Sequence, residues 1–294
     1  MICIECGAAV DSLYTVYSNK HIQLTECSQC HNIVDKYVEF DNVLMFIDLL
    51  LLKPGAYRHL VFNSLEERLS KYKESKPLQG PLRSRLLILR NNIRNWLLKF
   101  DDLNRLWLLL LTFEIYLTWF TEDETPPHKR SLLMSRILTE NALIQYAYFT
   151  LYCLIDISMF HYLIQYFIIS WCKWGTNVKN AKHVISYTIL LSYGAKIFPI
   201  LMLIWPYDTI LSMSIIKWVA NFYIVESLRI VTNLSYFTIL RIFTFVSFAR
   251  YTCTKPILIL FVSKCNIHLM KTYLKSEIDV ELLRLESLKY FITG

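Results

Sequence analysis

Four cysteines near the start of the chain constrain its fold more than any other feature. Cys3 and Cys6 are followed, after twenty intervening residues, by Cys27 and Cys30, in the pattern C-x2-C-x20-C-x2-C. Each CxxC pair forms a tight turn whose two thiolates converge on one ion, and two such turns complete a tetrahedral sulfur shell. The spacing therefore predicts an N-terminal head that is held together by a metal ion.

The residues between the two pairs are typical of a small β structure. The stretches "SLYTVYS" and "HIQLT" alternate in polarity and are separated by Asn19-Lys20, so we expect two short strands joined by a hairpin. The fold is then a zinc ribbon with one Zn²⁺ per chain. Because four thiolates leave no open coordination position, we expect this zinc to be structural. A redox-active or chance pair of CxxC motifs is the alternative.

The later part of the chain differs from the head in composition. The chain is 54% hydrophobic and 15% aromatic, and residues 103–262 are dominated by Leu, Ile, Phe, Tyr and Trp. This predicts a small β zinc ribbon followed by a mainly α-helical polytopic membrane bundle of about four to six spans. The formal net charge of +7 suits an anionic membrane surface better than a dedicated nucleic-acid binder.

Four segments are expected along the chain. They are a zinc-ribbon domain with a short apolar helix over residues 1–63, a linker and basic amphipathic interfacial helix over 64–101, a transmembrane helical region over 103–262, and a helical tail over 263–294. In the second segment, apolar side chains recur at helical spacing opposite Arg83, Arg90 and Arg94, which favours a helix at the membrane surface. A core helix of the head is the alternative.

The short apolar helix is predicted over residues 43–52, where Lys53-Pro54-Gly55 ends the apolar run. Ten residues rise only about 15 Å as a helix, half of what a bilayer core requires. We therefore expect it to lie in the interface or pack under the ribbon. Arg58 and His59 stand beside aromatic residues here, and such a group suits a phosphate headgroup. A solvated polar rim that caps the helix is the alternative.

Loop charges indicate the orientation of the membrane region. The loop over residues 172–183 carries three lysines and no acid, whereas the loop over residues 122–130 carries three acids, so we expect the first loop in the cytosol and the second in the lumen. A cleavable signal peptide would remove Cys3, so the head is expected to stay in the reducing cytosol. Residues 234–262 contain Lys255-Pro256, and either one broken span or a re-entrant pair is compatible with that stretch.

Ionisable residues interrupt the apolar runs, at Glu114, Asp156, His161, Lys196, Lys217, Glu226 and Arg241. Such residues are costly in lipid, so we expect them to pair with one another, to line a cavity or to reach for the interface. The chain contains no HExxH, GxSxG, P-loop or DxD motif. We therefore expect a protein that is not an enzyme, with a membrane enzyme as a further hypothesis.

The cysteine quartet, "DKYVEFDNVLMFIDLLLLKP" and "AYRHLVFN" together resemble the homology domain of the Arv family over about residues 1–63. The resemblance implies a multi-pass protein of the endoplasmic reticulum that serves sterol and lipid homeostasis and early glycosylphosphatidylinositol (GPI) anchor synthesis. It implies a non-enzymatic accessory or lipid-presenting role beside the subunits of the GPI N-acetylglucosaminyltransferase, with a sterol or GPI-intermediate transporter or scramblase as the alternative.

The resemblance also implies partners and site residues. The expected partners are membrane lipids, namely sterols and GPI intermediates, and the transferase subunits, with no nucleic acid. The metal ligands are the four N-terminal cysteines. A role in binding lipid or a partner protein is implied for a second set of residues, Asp35, Tyr37, Tyr57, Arg58, His59 and Asn63.

Overall fold

The architecture is a small β ribbon followed by a mainly helical chain. A computed structural model describes residues 1–17, 21–71, 81–176, 178, 180–194, 209–263 and 266–293. These residues form a two-stranded antiparallel sheet with a cluster of four cysteines and, after it, a series of helices. The predicted fold class is confirmed. The chain divides into two compact units, Met1–Leu108 with Phe167–Leu240, and Leu109–Tyr166 with Arg241–Gly294.

The ribbon, defined here as the sheet together with the two CxxC turns, opens the first unit. Strand β1 (Tyr14–Val16) pairs with β2 (Ile22–Leu24), and Thr15 lies opposite Gln23. The turn predicted at Asn19-Lys20 lies outside the described residues. The interior of the ribbon is small, and its buried members are Cys3, Leu13, Cys27 and Val34. So few buried side chains stabilise a fold of this size only weakly without a metal ion.

The helical part of the first unit begins with short elements. They are a 3-10 turn (Lys36–Val38), α1 (Asn42–Leu50), α2 (Pro54–Arg58), a π-helical turn (His59–Ser64) and α3 (Leu65–Ser70). The predicted short apolar helix is α1. It ends where Leu52 takes a left-handed φ of 55°, and Pro54 occupies the first position of α2, where its missing N–H costs no hydrogen bond.

Longer helices complete the first unit, namely α4 (Leu82–Lys99), the start of α5 (Asp101–Glu124), α8 (Ala181–Ser192) and α9 (Thr209–Thr232). Tyr57 and Val61 are fully buried and belong to a cluster that includes Val184 of α8 and Ile230 of α9. A Cβ at Gly55 would lie 3.2 Å from the Tyr37 ring, so glycine allows α2 to approach that ring closely. The head is thus packed directly on α8 and α9.

The second unit contains most of α5 and four further helices, α6 (Leu132–Thr139), α7 (Ala142–Tyr166), α10 (Tyr236–Val262) and α11 (Ile267–Thr293). Its core brings together Leu133 of α6, Phe149 of α7, Ile259 of α10 and Tyr273 of α11. Residues 234–262 were compatible with a broken span or a re-entrant pair. The structure has one continuous helix there, with Pro256 inside it.

Two helices among the described residues are long and apolar enough to cross a membrane by length and composition. One is Ala142–Trp171, which has 30 residues and is α7 continued by a π-helical turn (Phe167–Trp171). The other is α10, which has 27 residues. The runs predicted over 105–121 and 209–231 are the helices α5 and α9, whereas residues 195–208 lie outside the described part of the chain. The number of spans stays a prediction.

Several ionisable groups in the apolar helices bond to neighbouring side chains. Arg250 of α10 lies 3.2 Å from the Asp156 carboxylate of α7. The Tyr236 hydroxyl donates to Glu226 at 2.8 Å, and Arg229 lies 3.2 Å from the same carboxylate. Pairing of this kind lowers the cost of placing charge in an apolar environment.

Candidate metal centre

The four N-terminal cysteines meet at one point of the ribbon. Their sulfur atoms all lie within 4.8 Å of one another, with 3.7 Å between Cys3 and Cys30 and 3.6 Å between Cys6 and Cys27. A tetrahedral ion with metal–sulfur bonds of about 2.3 Å requires sulfur–sulfur separations of about 3.8 Å. The donor set therefore fits one tetrahedrally coordinated metal ion.

Both CxxC turns use the same backbone geometry. The N–H of Gly7 donates to the carbonyl of Cys3 at 2.9 Å, and the N–H of His31 donates to that of Cys27 at 2.9 Å. Gly7 and His31 both take a left-handed conformation, with φ of 77° and 55°. A positive φ at this position turns the chain out of each loop, so that the two sulfur atoms of a pair face the same side.

Backbone amides lower the pKa of Cys27 and Cys6, whereas the neighbouring thiols lower the pKa of Cys27 and raise that of Cys6. The N–H groups of Cys30 and Gln29 lower the pKa of Cys27 to about 6. The N–H of Ala8 also lowers the pKa of Cys6, but desolvation and the adjacent thiols outweigh it and raise that pKa to about 11. Four sulfur atoms this close cannot all ionise without a compensating cation, and a bound metal ion supplies that charge.

Behind the metal centre, the carboxylate of Asp35 is fully buried. One of its oxygens accepts from the backbone N–H of Tyr37 at 3.0 Å. The other accepts from Nδ1 of His59 at 2.7 Å and from Nδ2 of Asn63 at 2.7 Å. A buried carboxylate is tolerated when its lone pairs are occupied in this way.

Asn63 connects this carboxylate to the ribbon. Its Oδ1 accepts from the backbone N–H of Ile2 at 2.8 Å, and its Nδ2 donates to the carbonyl of Ile2 at 3.0 Å. The side chain therefore pairs with Ile2 as a neighbouring β-strand would, directly beside the metal ligand Cys3. His59 and Asn63 belong to the π-helical turn, a rare geometry found frequently at functional positions.

Arg58 contacts the first CxxC turn itself. Its Nη1 donates to the carbonyl of Ile4 at 2.9 Å and to the carbonyl of Glu5 at 2.7 Å. Ile4 and Glu5 are the two residues between Cys3 and Cys6. We call the contacts of Asp35, Arg58, His59 and Asn63 with one another and with the ribbon the ribbon joint. The joint attaches the metal-binding turn to α2 and the π-helical turn.

The two tyrosines of the predicted set lie in different surroundings. The Tyr37 hydroxyl donates to Asp48 of α1 at 2.9 Å. Lys53, at 2.6 Å from Asp48, together with this hydroxyl lowers the pKa of that carboxyl. Tyr57 is fully buried in the cluster with α8 and α9, and desolvation raises its pKa.

The six residues predicted to bind lipid or a partner thus have contacts inside the chain. Four form the ribbon joint, Tyr37 contacts it through Asp35, and Tyr57 lies in the core. A binding role for them stays a prediction. Sequence reasoning missed Asp48, which links Tyr37 to Lys53, although it is the one charged residue in the apolar run over residues 43–52.

The similarity of this chain to known proteins includes the residues of the ribbon and of the joint. The chain matches the Arv1-like family over residues 2–228, which include the ribbon, the joint and α1 to α8. The chain belongs to the Arv1-like family. The resemblance noted over residues 1–63 is thereby confirmed and extends over most of the chain. No solved structure matches the chain.

Three fungal relatives cover nearly all of this Arv1-like chain. Protein ARV1 of Saccharomyces cerevisiae is 55% identical over 94% of this chain and 96% of its own length. Protein ARV1 of Eremothecium gossypii is 49% identical over 95% and 96%. Protein ARV1 of Candida albicans is 32% identical over 89% and 90%.

Serine in place of Cys27 tests the metal centre. Structural zinc contributes on the order of 10 kcal/mol to the folding of small domains. The purified wild-type chain is expected to contain one zinc ion by elemental analysis, and Cys27→Ser should lower zinc content and protein abundance together. The matched control is Cys153→Ser, in α7, which should retain the metal. A folded wild-type head without metal would contradict the assignment.

Leucine in place of Asn63 tests the joint. The change keeps the side-chain volume but removes the partner of the partly buried N–H and C=O of Ile2 and one donor to the buried Asp35 carboxylate. A buried polar group left unsatisfied costs about 1–3 kcal/mol. We expect zinc to be bound at first and then lost to a chelator several-fold faster than from wild type, as followed with a colorimetric zinc indicator. Asn141→Leu, at an exposed position, serves as the control. Equal rates of zinc loss in all three proteins would show that the joint does not stabilise the ribbon.

Proposed function

We propose that this chain is an endoplasmic-reticulum membrane factor for sterol and lipid homeostasis and for early GPI-anchor biosynthesis. It acts as a non-enzymatic accessory or lipid-presenting component of a lipid glycosylation complex, the GPI N-acetylglucosaminyltransferase. Membership in the Arv1-like family supports the general role. The closed sulfur site and the joint behind it support the mode of action.

The all-sulfur site is the observation that carries the proposal. An ion bound by all four thiolates has no position left for water or substrate, so it serves structure and not catalysis. We propose that the ion is Zn²⁺, one per chain, since a tetrahedron of four cysteine sulfurs is typical of structural zinc. A rigid ribbon held to the membrane-side helices suits a surface for binding a partner protein.

The surface of α1 supports placement of the head at a membrane. None of its residues is buried, and its large apolar side chains are at least 45% exposed at Val43, Leu44, Phe46 and Ile47. The Tyr223 hydroxyl of α9 donates to the carbonyl of Leu50 and holds the end of α1 against α9. An exposed apolar helix of this kind suits the headgroup region of a bilayer.

The pairing of charges between the helices fits an accessory protein better than a transporter with a charged path for lipid. Asp156 and Arg250 neutralise each other between α7 and α10. A transporter of sterols or GPI intermediates would need polar groups that bind the transported lipid.

We propose that the head faces the cytosol. Protease digestion of sealed microsomes tests this orientation. Cleavage of the head without detergent would agree with a cytosolic head, and protection of the head would contradict it.

Affinity purification of the tagged full chain in mild detergent tests the proposed role. The subunits of the GPI N-acetylglucosaminyltransferase should co-purify with wild type, and Cys27→Ser should reduce their yield after normalisation to the bait. The purified chain in liposomes should neither move labelled lipid nor turn over a sugar-nucleotide donor. Lipid movement by the chain alone would favour the transporter, and turnover of the donor would favour an enzyme.

Arg58 provides a test of the binding role predicted for the joint. Only Nη1 donates within the described part of the chain, so the rest of the guanidinium is available to a phosphate or a partner carboxylate. Lysine keeps the charge but cannot form two parallel hydrogen bonds. Arg58→Lys should therefore keep zinc and abundance near wild type while GPI-anchor synthesis falls in cells that rely on this copy. Arg94→Lys on α4 is the control, and normal lipid profiles with Arg58→Lys would assign Arg58 to packing alone.

A further inference from the structure

A groove of about 380 Å³ lies in the second unit, between the start of α6 and the middle of α11. One wall is the α11 face that carries Lys271, Thr272, Lys275 and Ser276. Lys271 and Lys275 are one helical turn apart, and so are Thr272 and Ser276. Both ammonium groups and both hydroxyl groups therefore belong to one side of the helix. The groove is remote in sequence from the metal centre and belongs to no site described above.

Hydrogen bonds hold the two walls of the groove in place. The N–H of Leu132, at the start of α6, donates to the Ser276 hydroxyl at 2.9 Å. One turn further on, Arg136 donates to the Tyr273 hydroxyl at 2.8 Å, and Tyr273 is buried between the helices. The groove is therefore part of the packed fold, and a ligand would find its walls already positioned.

The charge in the groove is not balanced by the residues that the structure describes. Lys271 and Lys275 are exposed, and neither forms a salt bridge with a carboxylate of the described residues. Asp279 is the one acid in the lining, so the groove keeps a net positive charge. Lys255, in the same unit, instead lies 2.7 Å from Glu277 and 3.0 Å from Glu281. Like charges one turn apart repel each other, and a bound anion would relieve that repulsion.

The rest of the lining is apolar and open to the surroundings. Leu132 and Leu283 flank the basic face and are 55% and 56% exposed. Helix α11 begins at Ile267, only a short connection after Val262, the last residue of a helix long enough to cross a membrane. The groove thus lies on a helix that starts close to the end of a candidate span, where phospholipid headgroups and acyl chains are both within range.

We propose that this groove binds the phosphate headgroup of an anionic phospholipid. Lys271 and Lys275 bind the phosphate by charge, the Ser276 hydroxyl donates a hydrogen bond to it, and the upper part of an acyl chain contacts Leu132 and Leu283. The inference rests on the membrane role of the chain proposed above, with α10 as a candidate span, and is independent of any role in GPI-anchor synthesis. It assigns the binding of an anionic phospholipid to the C-terminal helix.

Native mass spectrometry of the full-length chain in detergent measures this binding directly. Phosphatidylinositol, phosphatidylcholine and inorganic phosphate are titrated separately as the probes. The double variant Lys271→Gln/Lys275→Gln should bind phosphatidylinositol roughly fivefold or more weakly, because these two ammonium groups supply the positive charge of the groove that binds the headgroup phosphate. Phosphatidylcholine binding should not change. Lys71→Gln/Lys173→Gln removes the same charge from the first unit and should leave all three titrations unchanged.

A second variant distinguishes the binding of a phospholipid from the binding of free phosphate. Leu283→Ser is an exposed change that should weaken phosphatidylinositol binding several-fold while phosphate binding stays as in wild type. Unchanged phosphatidylinositol binding in the double lysine variant would overturn the proposal. So would inorganic phosphate binding as tightly as the lipid. Co-purification of transferase subunits reports on the proposed function separately, since neither groove variant alters the metal-held head.

Discussion

A carboxylate removed from water must be given hydrogen-bond donors by the protein, and Asp35 meets this requirement with three of them. The donors come from the 3-10 turn and from the π-helical turn, which are separated by α1 and α2. Asn63 also forms two hydrogen bonds with the backbone of Ile2, which precedes the first metal ligand. The satisfaction of this one group therefore connects the 3-10 turn, the π-helical turn and the ribbon.

We expect the bound metal ion and the joint to depend on each other. The ribbon has few buried side chains of its own, so it relies on a bound metal for stability. The joint places that metal-stabilised unit on α2, whose Tyr57 is buried against α8 and α9. Loss of metal should therefore affect the helices below the ribbon, and loss of the joint should affect metal retention.

Structural features that are formed by residues close together in the sequence could be predicted. The CxxC spacing predicts the four-sulfur cluster because each turn is formed within a few residues, and the apolar run ended by Pro54 predicts α1. The contact between Asp35 and Asn63 could not be predicted, because 28 residues separate them and no periodic pattern relates them. The π-helical turn carries no composition signal either. Pro256 suggested a break, yet neighbouring helices allow α10 to continue through it.

Hydrogen–deuterium exchange on the full chain in detergent tests the coupling of metal and helices most directly. Amides of residues 59–64, in the π-helical turn, are compared with and without a zinc chelator, and residues of α7 in the second unit serve as the internal reference. The account predicts that zinc removal increases exchange in the ribbon and in residues 59–64 together, with α7 unchanged. Faster exchange confined to the ribbon, with residues 59–64 still protected, would contradict it.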